Sequence, residues 1–95
     1  MDRKLEIKDI ERIAKALGDP YRLKIIEAVS KKSNWMPCCN IVDMLDLAQS
    51  TVSHHIKQLV DADLLITEKD GRQVRYELNK EVFSAYIRFL SPFKE

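Results

Sequence analysis

The sequence predicts a mainly α-helical domain with one small β-hairpin, in the element order ααααββα. Three observations favour this organisation. Apolar residues recur at the spacing of a helical face through the first two thirds of the chain, and after Asp63 they alternate with polar residues, as in a half-buried strand. Within the alternating segment, Asp70-Gly71 is a strong hairpin signal, because both residues tolerate a positive φ. A length of 95 residues suits one domain spanning 1–95 rather than two.

Composition excludes several classes of protein. Apolar residues make up 45% of the chain and charged residues 33%, which is typical of a globular domain and not of a disordered segment. No apolar run exceeds three residues, so we expect no membrane span, no secretory signal and a cytoplasmic location. The net charge of +1 is too small to hold nucleic acid by an overall field, so any DNA binding must depend on local placement of side chains.

The sequence lacks the residue patterns that would indicate catalysis or a disulfide framework. The two cysteines, Cys38 and Cys39, are adjacent and cannot join distant parts of the chain. No Ser-His-Asp spacing, HExxH motif or glycine-rich phosphate loop is present. We therefore expect a protein that is not an enzyme and requires no cofactor.

The first two predicted helices are separated by a stop signal and a start signal. Residues 2–17 form the first helix, and Gly18 is its C-terminal stop. Asp19-Pro20 predicts an N-cap followed by proline at the first position of the second helix. A polar loop follows that helix, and in it Ser33 or Asn34 is a candidate N-cap. The apolar faces of the two helices comprise Ile10, Ile13, Ala14 and Leu17, and Ile25, Ile26 and Val29.

Two further helices and a hairpin complete a recognisable arrangement. A third helix is predicted to begin near Pro37, and a connection of about four residues leads to a fourth, which is typical of a helix-turn-helix over about 37–62. The hairpin strands lie within about 64–78, and Asn79 can cap a last helix over 80–90. A helix-turn-helix followed at once by a two-stranded wing is a winged helix. The inward-facing residues of the third and fourth helices are Ile41, Val42 and Leu45, and Val52, Ile56 and Leu59.

One face of the fourth helix has the residue types that read DNA. Ser50, Ser53, His54 and Lys57 share a face opposite the apolar stripe, and Gln49 lies at its N-terminal end. Glutamine pairs with adenine, serine contacts base edges or phosphates, and small side chains let a helix sit deep in the major groove. The alternative is an ordinary solvated face, but such faces usually carry Lys and Glu. The position in a helix-turn-helix favours DNA contact.

The predicted wing adds cations beside that helix. Lys69, Arg72 and Arg75 surround the hairpin tip, where basic side chains can enter a minor groove. Residues 49–76 contain equal numbers of basic and acidic residues, so only the geometry of the tip could separate the two signs. Charged hairpin tips also occur for solubility alone.

Three segments resemble the ArsR/SmtB family of bacterial repressors. They are Ala-Gln-Ser-Thr-Val-Ser-His-His-Ile-Lys-Gln-Leu at 48–59, Leu-Gly-Asp-Pro-Tyr-Arg-Leu-Lys-Ile-Ile at 17–26, and Asp-Gly-Arg-Gln-Val-Arg-Tyr at 70–76. The resemblance covers roughly residues 7–90. It implies a homodimeric winged-helix repressor that binds a palindromic double-stranded operator and releases it when an inducer binds. The DNA contacts that it implies fall on Gln49, Ser50, Thr51, Ser53 and His54, with Arg72 at the wing.

The last helix supports dimerisation from its own pattern. Its apolar residues surround much of its circumference, more than one small core can cover, so we expect a second subunit to cover them. The natural dimer helices are those at about 2–17 and 80–91, as the resemblance also implies. The alternative is burial of the last helix within its own subunit. The apolar residues concerned are Phe83, Tyr86, Ile87 and Leu90, with Val82 and Phe89 beside them.

The inducer is the least determined part of the function. Many members of the family bind soft or borderline metal ions, but the last helix has no histidine and only Glu81 as an acid before the C-terminus, so the family's zinc-type site there is not expected. His54 and His55 point about 100° apart on a helix and make a weak metal pair, with His55 expected to pack beneath the DNA face. Arsenic-sensing relatives carry Cys-x-Cys at the start of the third helix, whereas here Pro37 falls at the first of those positions.

Three roles for Cys38 and Cys39 stay open. They can bind a soft metalloid such as As(III), which prefers thiolates and commonly takes three of them. They can act as redox-sensing thiols, because a thiol near a helix N-terminus is readily ionised and oxidised or persulfidated. They can also be inert, since Cys38 shares a face with the core residues of the third helix. A further alternative for the whole domain is a winged-helix module that contacts protein rather than DNA.

Overall fold

The computed structural model describes residues 4–32 and 35–95 and confirms a mainly helical winged helix-turn-helix. The candidate N-caps Ser33 and Asn34 lie outside the described residues, as do positions 2 and 3 of the first predicted helix. The elements, in chain order, are α1 Ile7–Leu17, α2 Pro20–Ser30, β1 Met36–Pro37, α3 Cys38–Leu45, α4 Gln49–Asp61, β2 Leu65–Asp70, β3 Gln73–Leu78, α5 Lys80–Leu90 and a final 3₁₀ helix Ser91–Lys94.

The first helix starts later than the predicted position 2. The chain is not yet helical at Leu5, and α1 begins at Ile7 because the Asp9 carboxylate accepts a hydrogen bond from the Glu6 backbone N–H at 3.0 Å. The predicted apolar face is also rotated. Ala14 is exposed, whereas Ala16 is buried with Ile13 where α1 packs on α2 and α4.

The start of α2 is fixed as the sequence predicts. The Asp19 carboxylate accepts hydrogen bonds from the backbone N–H groups of Tyr21, at 2.8 Å, and Arg22, at 3.2 Å, and Pro20 follows as the first helical residue. Burial opposes ionisation of this carboxyl group. The two amide bonds and the positive charge of Arg22 outweigh that cost and lower the pKa of Asp19.

The wing is part of a three-stranded antiparallel sheet in the order β1-β3-β2. The sequence analysis missed β1, in which Met36 pairs with Tyr76. The predicted position of the turn was wrong by one residue, because Asp70 pairs with Gln73 as part of the ladder. Gly71 alone supplies the positive φ, at 65°, so the two turn residues are Gly71 and Arg72, and Arg72 lies at the tip.

The core is centred on one side of α4. Its inward side packs with the buried residues of α1 to α3, the hairpin and α5, and the buried His55 is the one polar side chain described there. Asn79 caps α5 as predicted, its side-chain oxygen accepting from the Val82 backbone N–H at 3.4 Å. The aliphatic residues with the least exposure are Ile13, Ile25, Ile41, Val52, Leu59, Leu64 and Val82.

The last helix is only partly covered within the subunit. Val82 and Ala85 are buried, whereas Ile87 is 60% exposed and Leu90 is 41% exposed. The apolar surface continues into the 3₁₀ helix, where Phe93 is 71% exposed. In the part of the chain that the structure describes, no helix is long and apolar enough to cross a membrane.

Candidate nucleic-acid interface

The fourth helix presents a polar face directly opposite its buried stripe. Val52, Ile56 and Leu59 are buried and fix the rotation of α4 about its axis. The N-cap residue Ala48 has no side-chain acceptor, so the first backbone amides of α4 stay available to an external anion such as a phosphate. We call the exposed side the recognition face; its members, all exposed, are Gln49, Ser50, Thr51, Ser53, His54 and Lys57.

Lys57, His54 and His55 of α4 differ in how available their side chains are to DNA. The Lys57 ammonium donates to Asp61 at 2.8 Å, one turn along the helix, and both side chains are well exposed. Exposed pairs of this kind are worth about 0.3–0.5 kcal/mol, so Lys57 can exchange Asp61 for a phosphate at little cost. His54 is exposed beside Ser53, whereas His55 is buried beneath, as the sequence predicts.

The wing cations have separate environments. Arg72 is exposed at the tip. Arg75, in contrast, is half-buried, its Nε donates to Glu68 Oε1 at 3.0 Å across the strand pair, and its guanidinium lies 5.7 Å from the centre of the Trp35 ring. Both arginines stay predicted DNA contacts, but the charge of Arg75 is already compensated within the wing. Arg72 is the better placed of the two.

A groove of about 500 Å³ separates the start of α3, the start of α4 and the wing. Both cysteines line it, and we call it the thiol groove. Cys38 is half-buried against the core and Cys39 is exposed. Burial raises the pKa of Tyr76, and the adjacent Cys38 thiol raises it further. The lining consists of Pro37, Cys38, Cys39, Val42, Gln49, Ser53, Arg72, Gln73, Val74 and Tyr76.

The thiol groove shares side chains with the recognition face. Gln49 and Ser53 belong to both, and Arg72 reaches the groove from the wing tip. The sequence analysis singled out neither Gln73 nor Tyr76, because nothing in the sequence indicated that β3 lies against α3. Within the described residues, no group of three or more His, Cys, Asp or Glu side chains is placed to hold a metal ion.

A helix-turn-helix with a polar, small-residue recognition face and an arginine-tipped wing defines a winged-helix DNA-binding protein. The chain belongs to the arsR family of bacterial regulatory proteins, whose profile matches residues 19–67. The arsenical resistance operon repressor of Staphylococcus xylosus is 37% identical over 83 residues, which cover 87% of this chain and 77% of that protein. These findings identify a transcriptional regulator and confirm the prediction that the protein is not an enzyme.

Solved structures support the same fold. The crystal structure of an ArsR family transcriptional regulator matches with a TM-score of 0.84 at 24% identity, covering 97% of this chain and 93% of that one. A homodimeric winged helix-turn-helix DNA-binding domain from Mycobacterium bovis, solved in solution, matches with a TM-score of 0.74 at 18% identity, covering 94% and 82%. At these identities the likeness is one of fold.

Replacing Ser53 and His54 together by alanine should abolish sequence-specific DNA binding and leave the protein folded, because both side chains are exposed. Each lost base contact is worth about 1–3 kcal/mol, so affinity should fall by at least about 30-fold. The measurement is a gel shift on duplexes that the wild-type protein selects from a random-sequence pool. Gln58→Ala, exposed nearer the C-terminal end of α4, is the control and should bind as the wild type does. Unchanged affinity of the double variant would refute this assignment of α4.

Replacing Arg72 by alanine should weaken binding to all duplexes, selected or random. The slope of log affinity against log salt should become shallower by about one unit, because one phosphate contact is lost. Arg75→Ala is the matched control; the pairing of Arg75 with Glu68 predicts little change in that slope. Equal slopes for Arg72→Ala and the wild type would show that the wing tip points away from DNA.

Proposed function

We propose that this protein is a homodimeric transcriptional repressor that binds a palindromic operator and releases it when a thiol-reactive inducer, arsenite or a similar soft metalloid, binds at Cys38 and Cys39. One observation carries the proposal. The thiol groove brings both cysteines together with Gln49 and Ser53 of the recognition face and with Arg72 of the wing. A sensing group and a DNA-reading surface therefore occupy the same place on the molecule.

The shape of the domain supports operator binding by two copies. One α4 inserted in a major groove reads only a short half-site. Two copies related by a two-fold axis read half-sites about one helical turn, or 34–36 Å, apart, and the operator then has the same two-fold symmetry. The M. bovis domain with this fold is homodimeric, which agrees with such an arrangement.

The exposed apolar residues near the two ends of the chain support a dimer built from α1 and α5. Ile7 on α1 is 73% exposed, and α5 with the following 3₁₀ helix exposes Ile87, Leu90 and Phe93. Large side chains of this kind are costly to leave in water, at roughly 25 cal/mol per Å² of apolar surface. A second copy that covers them gains that energy.

Replacing Ile87 and Leu90 together by aspartate should convert the dimer to a monomer, because two charges per subunit would be buried in the proposed interface. Sedimentation velocity measures the state of association, and circular dichroism checks that the helices are retained. Leu23→Asp is the control, since Leu23 is 50% exposed on α2, outside the proposed dimer helices. An aspartate variant that remains a folded dimer would show that α5 does not form the interface.

The thiol groove fits a soft metalloid in part. Two thiols lie at neighbouring positions at the start of α3, and the chain has no third cysteine. As(III) commonly takes three thiolates, so a third sulfur has to come from a small thiol or from the other subunit. The groove has room for a small thiol, and the relative from S. xylosus is an arsenical resistance repressor.

Occupation of the groove suggests how DNA would be released. An adduct on Cys39 would lie between α4 and the wing, beside Gln49, Ser53 and Arg72. It would then compete with DNA for the same side chains. A change at Cys38 would also disturb its contact with Tyr76 on β3, and with it the wing.

A second candidate function is redox or persulfide sensing by the same thiols. The observation that favours it is the difference between the two cysteines: Cys39 is exposed and hydrogen-bonds only weakly to Asn40, at 3.6 Å, whereas Cys38 is half-buried. An exposed thiol at the start of a helix reacts with oxidants without needing a third ligand. In this case the inducer is an oxidant, and the operator-binding state is still the reduced protein.

Replacing both cysteines by serine should preserve operator binding and remove the response to inducer. The measurement is release of the selected duplex during titration of reduced protein with arsenite and, separately, with a disulfide or persulfide oxidant. Release by arsenite favours metalloid sensing, and release by the oxidant alone favours the redox function. Single variants serve as controls, because a thiol label should react with Cys39 before Cys38. If neither thiol reacts until the protein unfolds, the pair belongs to the core and both sensing functions are excluded.

A further inference from the structure

The guanidinium group of Arg22 connects three helices. From the first turn of α2, its Nε donates to the carbonyl oxygen of Ala16 at 2.6 Å and its Nη2 donates to that of Lys15 at 3.2 Å. Its third nitrogen, Nη1, lies 3.2 Å from Nδ1 of His55 on the buried side of α4. One side chain therefore joins the end of α1 to the helix that carries the recognition face.

The α1 end of this connection has a clear physical basis. The last four carbonyl groups of a helix have no partner within it, and Lys15 and Ala16 lie in the last turn of α1. The Lys15 carbonyl also accepts from the Gly18 backbone N–H at 3.2 Å. A guanidinium is suited to this position because it is always charged and holds its donors in a rigid plane. Because Nε and Nη2 are bound to these carbonyl groups, the direction of the remaining nitrogen, Nη1, toward α4 is fixed.

The α4 end is equally restricted. Arginine has only donors, so the contact requires Nδ1 of His55 to be the acceptor. His55 is 9% exposed, its imidazole stacks on the Tyr21 ring with centroids 5.8 Å apart, and Asp19 Oδ1 lies 3.9 Å from its Nδ1. Three of the four residues at positions 19–22, namely Asp19, Tyr21 and Arg22, thus surround the His55 ring from the start of α2.

We propose that Arg22 and His55 are positioning residues for DNA recognition: their contact, the Arg22–His55 link, fixes the orientation of α4 relative to α1 and so sets the spacing between the two recognition helices of the dimer. This proposal rests on the proposed function, in which α1 and α5 form the dimer interface. The apolar packing of α4 fixes which side of the helix faces the core. The link adds a directional tie between α4 and the end of a dimer helix.

A positioning role and a purely structural role predict different behaviour. Loss of a packing contact lowers the free energy of unfolding but leaves the folded protein selective for the same operator. Loss of a positioning contact leaves each subunit able to bind a half-site, while the distance and angle between the two α4 helices vary more. The readout is therefore the discrimination between operators with different half-site spacing.

The test uses the wild-type dimer and the palindromic duplex that it selects from a random-sequence pool. A second duplex carries one inserted base pair between the half-sites, which rotates them by about 35° relative to each other. A third carries a single half-site. The wild type should bind the second duplex at least about tenfold more weakly than the first, because both subunits cannot engage it without distortion.

Two substitutions at His55 separate the outcomes while leaving the bonds from Arg22 to α1 intact. His55→Leu removes the acceptor, and discrimination between the first two duplexes should fall to less than about threefold, with half-site affinity within about twofold of the wild type. His55→Gln retains an acceptor and should restore most of the discrimination. Arg22→Met should behave as His55→Leu does, and combining the two should add little, because both remove the same link.

Each alternative result has a distinct meaning. A folded His55→Leu dimer that discriminates spacing as the wild type does overturns the positioning role. Equal loss of affinity for all three duplexes, with a lowered free energy of unfolding, also overturns the positioning role. It would show that the Arg22–His55 link is only a packing contact. If Arg22→Met fails to fold, the pair of His55 variants still decides. If the wild type selects no palindromic duplex, the proposed function fails, whatever the variants do.

Discussion

The burial of one side of α4 is the constraint on which the rest of the structure depends. Val52, Ile56 and Leu59 lie on a single stripe and reach the centre of the core. Full burial of an aliphatic side chain is worth about 1.5–3 kcal/mol, so rotating the helix about its own axis would cost several times that amount. The same packing that stabilises the domain therefore aims Gln49, Ser53 and the other members of the recognition face at solvent.

The short strand β1 determines what lies beside α4. Pairing of Met36 with Tyr76 places the start of α3 against the wing, and Gln49 and Ser53 of α4 complete the lining of the thiol groove. Any reaction at Cys38 or Cys39 therefore takes place next to side chains of the recognition face. No long-range transmission through the core is needed for the proposed release, because the two thiols and the recognition face share one surface.

Small size accounts for the outward apolar surface of α1 and α5. A domain of 95 residues buries a limited fraction of its apolar area, and here Ile7, Ile87 and Phe93 are left largely exposed. In the proposed dimer these residues gain a partner surface. The Arg22–His55 link then connects that interface to α4, so that association and DNA reading depend on one another.

The sequence by itself determined the elements whose signals are local. The Asp19-Pro20 start of α2, the Asn79 cap of α5 and the glycine of the hairpin turn act within a few residues. The inward faces of α3 and α4 follow from spacing along one element, whereas the face predicted for α1 was rotated. The exposure of the polar residues of α4 could likewise be predicted, because the apolar stripe on the same helix defines which side faces solvent.

Only the tertiary structure decided the contacts between elements. Arg75 could not be separated from Arg72 until strand register placed it opposite Glu68, and a strand of two residues such as β1 is too short to have a period. Arg22 and His55 are 33 residues apart in the chain, and their contact exists only because α1, α2 and α4 pack together. Hydrogen bonds and ion pairs between elements depend on how all the helices pack together. They cannot be predicted from the spacing of residues along one helix.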